Sequence, residues 1–197
     1  MKCIIFTNNQ KKCLELKAIL AGYKLDVLRY TDVLDETIDV IEDGDSFEAN
    51  ALKKVNAIAH IENAILIADD SGLEIECLNG EPGIYSARYG GPDLSDAQRC
   101  EYVLSNVGNN KNRGAQFRCV IALIFPNGDQ YCVEGKVVGE LTHEPKGAQG
   151  FGYDPLFIPQ GYHETFAELG ADIKHKISHR GQALAKATEL IKAYLEN

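Results

Sequence analysis

Three absences in the sequence narrow the class of protein. There is no run of about 18 apolar residues and no long apolar segment after the opening MKCIIFTNN, so neither a membrane span nor a signal peptide is expected. The six cysteines form no C-x-x-C pair and no Cys/His cluster, so we expect thiols in a core rather than disulfides or a zinc site. Lys and Arg number 20 against 29 Asp and Glu, and the net charge of −9 argues against binding to duplex nucleic acid. We therefore expect a cytoplasmic protein without membrane or nucleic-acid partners.

Hydrophobic periodicity and turn residues predict alternating strands and helices. The chain has 197 residues, 45% of them hydrophobic, which is enough for a large core. The predicted elements are strands at 2–7, 25–30 and 64–69, helices at 14–20 and 46–61, a helix from residue 95, a hairpin formed by 115–125 and 129–141, and a helix at 179–195. Two stretches rich in Gly and Pro, 79–92 and 147–155, are predicted to be loops. This order indicates a mixed α/β fold with a long sheet.

Two adjacent carboxylates follow a predicted buried strand. The apolar run AILI (64–67) leads into ADDSGL, so Asp69 and Asp70 are predicted at the strand's end, where open α/β sheets bind ligands. Like charges this close repel unless a cation, a proton or hydrogen-bond donors neutralise them. An oxygen-only set without nearby His or Cys favours Mg²⁺ or Mn²⁺. The alternative is that Asp69 caps a turn at Ser71 and Gly72 while Asp70 faces water.

The segment TNNQKK (7–12) lies between a predicted strand and a predicted helix. Backbone N–H groups at a helix N-terminus bind anions, and Lys11 and Lys12 add positive charge there. No Walker-type glycine spacing is present, so an ordinary capped turn with solvated lysines is the alternative.

The helix at 46–61 carries a polar face. Asn50, Lys53 and Lys54 stand at i, i+3 and i+4 on this helix, and the acidic stretch before it includes Glu42. The three side chains share one polar face, where an anionic ligand would bind. A solvated helix face and acidic loop are the alternative.

Two later segments suit recognition of a base or an anion. FGYDP (151–155) offers a flexible glycine at Gly152, a ring at Phe151 that could stack on a base, and Asp154. KHKISHRG (174–181) concentrates cations near a predicted helix start, in a chain that is acidic as a whole. Core packing of Phe151 and a solvated helix start are the alternatives. Together with the carboxylate pair, these segments are what a metal-assisted site for a nucleoside triphosphate requires.

Four ordered segments carry a family resemblance. TNNQKKCLE is similar to an opening T/S-x-N-x-x-K-x-x-E, and ADDSGLEIECLNGEPGIYSARYGG, GAQGFGYDPLF and SHRGQAL follow it. Over essentially its whole length the chain resembles the inosine/xanthosine triphosphate pyrophosphatase family, the Ham1-like enzymes. The resemblance implies hydrolysis of non-standard purine nucleoside triphosphates (XTP, ITP, dITP) to monophosphate and pyrophosphate, with Mg²⁺ as cofactor, in a homodimer. It also implies one domain over 1–197 with an elongated mixed sheet, flanking helices and two lobes around a central cleft.

The resemblance also assigns roles to residues. Asp70 matches the general base and a metal ligand, and Glu42 is the second metal ligand, although some members place that ligand at the position of Ile41. With Lys53, the predicted substrate-binding residues are Thr7, Asn8, Asn9, Gln10, Lys11, Lys12, Ser71, Phe151, Gly152, Tyr153, Asp154, Lys174, His179 and Arg180. Lys11 departs from the family, in which many members have Gly at this position.

Two competing functions remain from the sequence. A nucleotide-binding sensor would keep the pocket without turnover, but it would not need Asp70 and Lys12. A pyrophosphatase for modified pyrimidines is disfavoured by the SHR ending, which points to purines. The sequence does not rank XTP, ITP and dITP.

Overall fold

A computed structural model of the chain describes residues 1–196, which form a mixed α/β fold. Its elements are β1 (Lys2–Phe6), α1 (Gln10–Leu20), β2 (Asp26–Arg29), α2 (Phe47–Ala57), β3 (Ala64–Ile75), α3 (Asp96–Val107), β4 (Gly114–Ile124), β5 (Gln130–Leu141), β6 (Phe157–Pro159), α4 (Phe166–Leu169), α5 (Ala171–Ile177) and α6 (His179–Leu195). The strands form a sheet with the order β2-β1-β3-β4-β5-β6. β1 is parallel to β2 and β3, whereas β5 and β6 are antiparallel. The predicted mixed sheet with helices is confirmed.

The strand that carries the two aspartates is longer than predicted. β3 continues from Ala64 to Ile75, so Asp69 and Asp70 lie within it and not at its end. Its parallel neighbour β1 does stop there, because the register pairs Phe6 with Ala68 and the chain then turns into α1. On its other edge β3 is paired with β4, and this pairing allows β3 to continue. The sequence placed the two aspartates at the carboxyl end of their own strand. In the structure they instead lie beside the carboxyl end of the neighbouring strand β1.

The chain divides into two compact units. Unit 1 contains residues 1–70, 119–135 and the segment that begins at residue 182, and unit 2 contains 71–118 and 136–181. The central cleft stays a prediction.

The core of unit 1 forms between strands and the terminal helix. Alternate residues of β1 and β3, including Cys3, Ile5 and Ile67, pack with Leu16 of α1 and Leu184 of α6. The intervening residues of both strands are buried as well. Strands covered on both faces read as continuous apolar runs, as KCIIF and AILIA do.

The core of unit 2 is rich in aromatic side chains. Phe117 of β4 contacts Phe157 edge to face, with ring centroids 4.8 Å apart, and Phe166 of α4 lies beside both rings. Val103 and Val107 of α3 pack into the same cluster. This packing fixes the start of β4 and the short helices that precede α6.

The six cysteine thiols are free, and four of them are buried. None of the helices within residues 1–196 has both the length and the apolar character needed to cross a membrane.

Candidate active site

Each of the adjacent aspartates is matched by its own lysine. Lys12 Nζ lies 3.1 Å from Asp69 Oδ2, and Lys54 Nζ lies 2.8 Å from Asp70 Oδ1. Both aspartates are buried, and successive side chains of a strand point to opposite faces, which explains why they have different partners. The residue types suggested a divalent metal as the cation that relieves the repulsion between the two carboxylates. In the structure two ammonium groups already supply a neutralising charge to this pair.

Lys54 is the centre of a buried charge network. Its ammonium group also contacts Glu42 Oε1 at 3.1 Å and donates to the backbone oxygen of Asp69 at 3.1 Å. Burial alone would lower the pKa of Lys54, but the carboxylates of Asp70, Glu42 and Asp69 outweigh it and hold this pKa above its ordinary value. Lys54 is therefore a cation. We call Glu42, Asp69, Asp70, Lys12 and Lys54 the carboxylate–lysine cluster.

Lys53, the lysine chosen from the sequence, does not join this cluster. It is exposed, and its ammonium group pairs with Asp43. At about 100° per residue, Lys53 lies about 200° around the helix from the buried Ala51, whereas Lys54 lies about 60° from it. Ala51 and Val55 define the apolar stripe of α2, so this angle was a signal in the sequence that favoured Lys54.

Asp70 is held by two donors from α2. Lys54 contacts Oδ1, and the carboxamide of the fully buried Asn50 donates to Oδ2 at 3.3 Å. Burial raises the pKa of Asp70 above its usual value, while Lys54 and Lys12 oppose the rise. The result is a fixed, desolvated carboxylate that is a stronger base than an exposed one.

The residues present fit a magnesium ion. Glu42 and Asp70 already share one cation, the ammonium of Lys54, so their oxygens converge. The cluster has three carboxylates and two lysines, which leaves one negative charge. Across residues 1–196 no group of three or more His, Cys, Asp or Glu side chains is placed to hold a metal ion. Two carboxylates suffice for Mg²⁺, which keeps several waters and takes other ligands from substrate phosphates.

The TNNQKK segment forms a capped helix start rather than an open turn. Gln10, Lys11 and Lys12 begin α1, and the side chain of Asn9 accepts from the N–H groups of Lys11 and Lys12 at 3.0 and 3.2 Å. Thr7 Oγ1 in turn accepts from the Asn9 N–H at 3.1 Å. A phosphate at this helix end would therefore share these N–H groups with Asn9.

Asn8 has a different role from its neighbours in the segment. Its carboxamide donates to the backbone oxygen of Ile38 at 3.3 Å and accepts from the hydroxyl of Tyr30. The Ile38 N–H donates to the same hydroxyl at 3.2 Å. Asn8 thus ties the acidic stretch before α2 to the end of β1.

Phe151 in unit 2 is a half-buried ring with two cations over it. Lys174 Nζ lies 4.5 Å and Arg180 Cζ 5.6 Å from the ring centroid. Asp154 binds Lys174 Nζ at 2.6 Å and accepts from the Phe151 N–H at 2.8 Å. Arg180 is buried and donates to Ser71 Oγ at 2.9 Å. We call Ser71, Phe151, Asp154, Lys174 and Arg180 the aromatic–cation cluster.

Gly150 allows the loop of this cluster to form. Its φ is +78°, and a Cβ there would lie 2.1 Å from Asp154 Oδ2. The next glycine, Gly152, is anchored to α3, because its N–H donates to Asp96 Oδ2 at 3.0 Å and its carbonyl accepts from Cys100 Sγ at 3.4 Å.

Two predicted substrate contacts lie in the core of unit 2. The ring of Tyr153 is buried, and its hydroxyl donates to the backbone oxygen of Ser86 at 2.8 Å. His179 is buried and stacks on Phe117, with ring centroids 4.6 Å apart and an interplanar angle of 10°. Tyr153 therefore supports the loop through packing, and Phe117, which the sequence argument did not select, positions His179.

Comparison with known proteins identifies the family. A sequence model described as the Ham1 family matches residues 3–190. The chain belongs to the Ham1 family. Its relatives include the dITP/XTP pyrophosphatases of Leuconostoc mesenteroides, 42% identical over 100% of this chain and 99% of the relative, and of Bacillus subtilis, 43% identical over 98% of each. The solved structure of the Staphylococcus aureus Ham1 protein covers 100% of this chain and 98% of its own, with a TM-score of 0.84 and 41% identity.

This membership confirms the family resemblance seen in the sequence. The matched region contains both clusters of this Ham1-family chain. Asp69 and Lys54 belong to the carboxylate–lysine cluster and Asn50 contacts it, yet none of the three is among the site residues predicted from the sequence.

Proposed function

We propose that this chain hydrolyses the non-standard purine nucleoside triphosphates ITP, XTP and dITP to the nucleoside monophosphate and pyrophosphate. The names of the Leuconostoc and Bacillus relatives support this activity. The observation that carries the proposal is Asp70, a buried carboxylate held by Lys54 and Asn50 in a cluster of opposite charges. A site of this kind can accept a proton from water and stabilise charge on phosphate oxygens.

Asp70 acts as the proton acceptor. Its carboxylate orients a water molecule and accepts one proton from it. The water oxygen attacks the α-phosphorus, and pyrophosphate leaves from the same phosphorus. Lys54 opposes the rise that burial causes in the pKa of Asp70, and it stabilises negative charge near this carboxylate. Lys12 and the start of α1 provide positive charge for phosphate oxygens.

Mg²⁺ is part of this proposal, with Glu42 and Asp70 as its protein ligands. The ion would offset the charge on the phosphate oxygens when bound. The oxygen-only pair and the residual negative charge of the carboxylate–lysine cluster favour it over zinc, which prefers nitrogen and sulfur.

The aromatic–cation cluster serves base recognition. The half-buried ring of Phe151 can stack on a purine, and the cations over it suit the 6-keto group that hypoxanthine and xanthine share. Adenine has an amino donor at that position, which would leave a buried protein donor unpaired. This difference favours ITP and XTP over ATP.

One substrate panel tests the activity. Pyrophosphate release is measured from ITP, XTP, dITP, ATP, GTP and dUTP, each with Mg²⁺ and with EDTA. We expect release from the first three, and its loss in EDTA. Nucleotide binding without pyrophosphate release would instead indicate a sensor, and preference for dUTP would indicate a pyrimidine enzyme.

Two further properties belong to the proposal. We propose a homodimer, which light scattering coupled to size-exclusion chromatography measures as twice the 21.7 kDa chain mass. We also propose a cytoplasmic location, where the nucleotide pool and a reducing environment are found, and fractionation of cells tests it.

A further inference from the structure

We infer that Asn50 is a positioning residue that fixes both carboxylates of the proposed metal pair through one side chain. The inference rests on the proposed function, because it concerns the geometry around Asp70. It starts from two hydrogen bonds made by the carboxamide of Asn50, one to Asp70 and one to Gly44.

The orientation of the carboxamide is determined by Gly44. The Gly44 N–H lies 2.8 Å from Asn50 Oδ1, and a backbone N–H can only donate. The oxygen of the carboxamide must therefore face Gly44, so its NH₂ group faces Asp70 Oδ2 at 3.3 Å. Asn50 is fully buried, so bulk solvent does not compete for these two bonds.

The two bonds act on different parts of the carboxylate–lysine cluster. On the Asp70 side, Asn50 and Lys54 stand one helical turn apart on α2 and each holds one oxygen, so the carboxylate plane is fixed. On the other side, Gly44 stands two residues after Glu42 and belongs to a segment without helix or strand. Asn50 therefore sets the position of Glu42 relative to Asp70.

The approach at Gly44 is too close for any side chain. A Cβ at this position would lie 2.6 Å from Asn50 Oδ1 and 2.9 Å from the Cβ of Ala49. Glycine is required here for space, and its absence would push the carboxamide of Asn50 away from the bond with the Gly44 N–H. Substitution of Gly44 is thus a second way to disturb the same contact.

Three variants separate the two bonds. Asn50→Asp keeps an acceptor for Gly44 but replaces the donor toward Asp70 by a carboxylate, whereas Asn50→Ala removes both bonds. Gly44→Ala disturbs the contact from the other side. The matched control is Asn56→Asp, the same substitution on an exposed position of α2, where the side chain donates to the Leu52 oxygen.

Kinetics with ITP test the effect on Asp70. Asn50→Asp is expected to lower kcat at least about tenfold, because small displacements of a catalytic group are costly, while KM stays within about twofold. Asn56→Asp should match the wild type. In an Asp70→Asn background, Asn50→Asp should add less than about a twofold loss, since residues that act through one another are not additive. Equal kcat in Asn50→Asp and wild type, or a full additional loss in the Asp70→Asn background, would overturn the inference.

Nuclear magnetic resonance tests the two hydrogen bonds of Asn50 independently of any measurement of enzyme activity. Asn50→Ala should accelerate hydrogen exchange of the Gly44 amide, whereas Asn50→Asp should preserve its protection. The side-chain NH₂ signals of Asn50 should shift in Asp70→Asn, and those of Asn56 should not. Unshifted Asn50 signals or unchanged Gly44 exchange would overturn the inference even in an active enzyme. If the wild type released no pyrophosphate from ITP, the proposed function would be overturned. The Asn50 and Gly44 signals would then still test whether the two hydrogen bonds of Asn50 exist.

Discussion

Lys54 and Asp70 form a buried ion pair in which Nζ and Oδ1 are 2.8 Å apart. Lys54 directly follows Lys53 in the sequence, but the two lysines differ in burial and in the carboxylates that they contact. Lys53 is exposed and pairs with Asp43 at the surface.

Lys54→Met is therefore expected to be far more damaging than Lys53→Met. Removing one partner of a buried pair leaves the other charge uncompensated, so Lys54→Met should lower the free energy of unfolding by about 3–5 kcal/mol. Lys53→Met should change it by less than about 1 kcal/mol, because surface pairs contribute little. Urea unfolding of both variants measures the difference, and equal losses would contradict the assignment of Lys54.

Asp70→Asn should abolish most of the turnover. The amide keeps the shape but cannot accept the proton from water, so kcat should fall at least about a hundredfold. Asp69→Asn should reduce kcat much less, since its carboxylate pairs with Lys12. Both variants are assayed across a Mg²⁺ titration, with nucleotide binding measured separately. A larger kcat loss in folded Asp69→Asn would reverse the two roles.

Arg180→Ala should weaken discrimination between bases. Loss of a buried charged donor removes an advantage of about 1–3 kcal/mol for the keto purine. The ITP/ATP ratio of kcat/KM should therefore shrink roughly tenfold or more. The ratio does not depend on the folded fraction, so it separates recognition from stability. Arg118→Ala, which removes an arginine paired with Glu74 in the same unit, is the control and should leave the ratio unchanged.

Cys3 should make stability fall at alkaline pH. Burial raises the pKa of its thiol from 9.0 to about 12. Between these values the unfolded chain releases its proton while the folded chain retains it, so the free energy of unfolding falls as pH rises, by about 1.4 kcal/mol per pH unit. Below pH 9 this contribution is fully present. Denaturation curves at several alkaline pH values should show a shallower decline for Cys3→Ala than for wild type, and parallel declines would refute the shift.

The fold was largely predictable because its signals are local. Continuous apolar runs predicted β1 and the first part of β3, and the segments 115–125 and 129–141 were predicted as the hairpin that β4 and β5 form. The sequence signal failed at Ser71 and Gly72, which indicate a turn by composition. Pairing with β4 keeps them in an extended strand, and a single-sequence pattern does not contain that tertiary interaction.

The candidate site was predictable in its chemistry but not in its pairing. Residue types indicated that Asp70 needs a compensating charge, yet they did not show that Lys54 supplies it. Tyr153 is an example of the reverse error. Its place in a glycine-rich motif suggested a ligand contact, but its ring packs in the core of unit 2. The apolar stripe of α2 indicated which side of that helix is buried, whereas the buried side of an irregular loop depends on partners distant in sequence.

The core of unit 1 combines segments that are far apart in the sequence, and this has a consequence for synthesis of the chain. Four residues of α6 belong to the same buried cluster as Cys3 and Ile5 of β1, namely Ala183, Leu184, Ala187 and Ile191. In a nascent chain on the ribosome, α1 and β3 are available early, but the part of this cluster that α6 completes stays open until α6 has been translated. Chains arrested before α6 should expose this part of the cluster to chaperones and proteases, because a core completed by a segment distant in sequence closes only after that segment has been made.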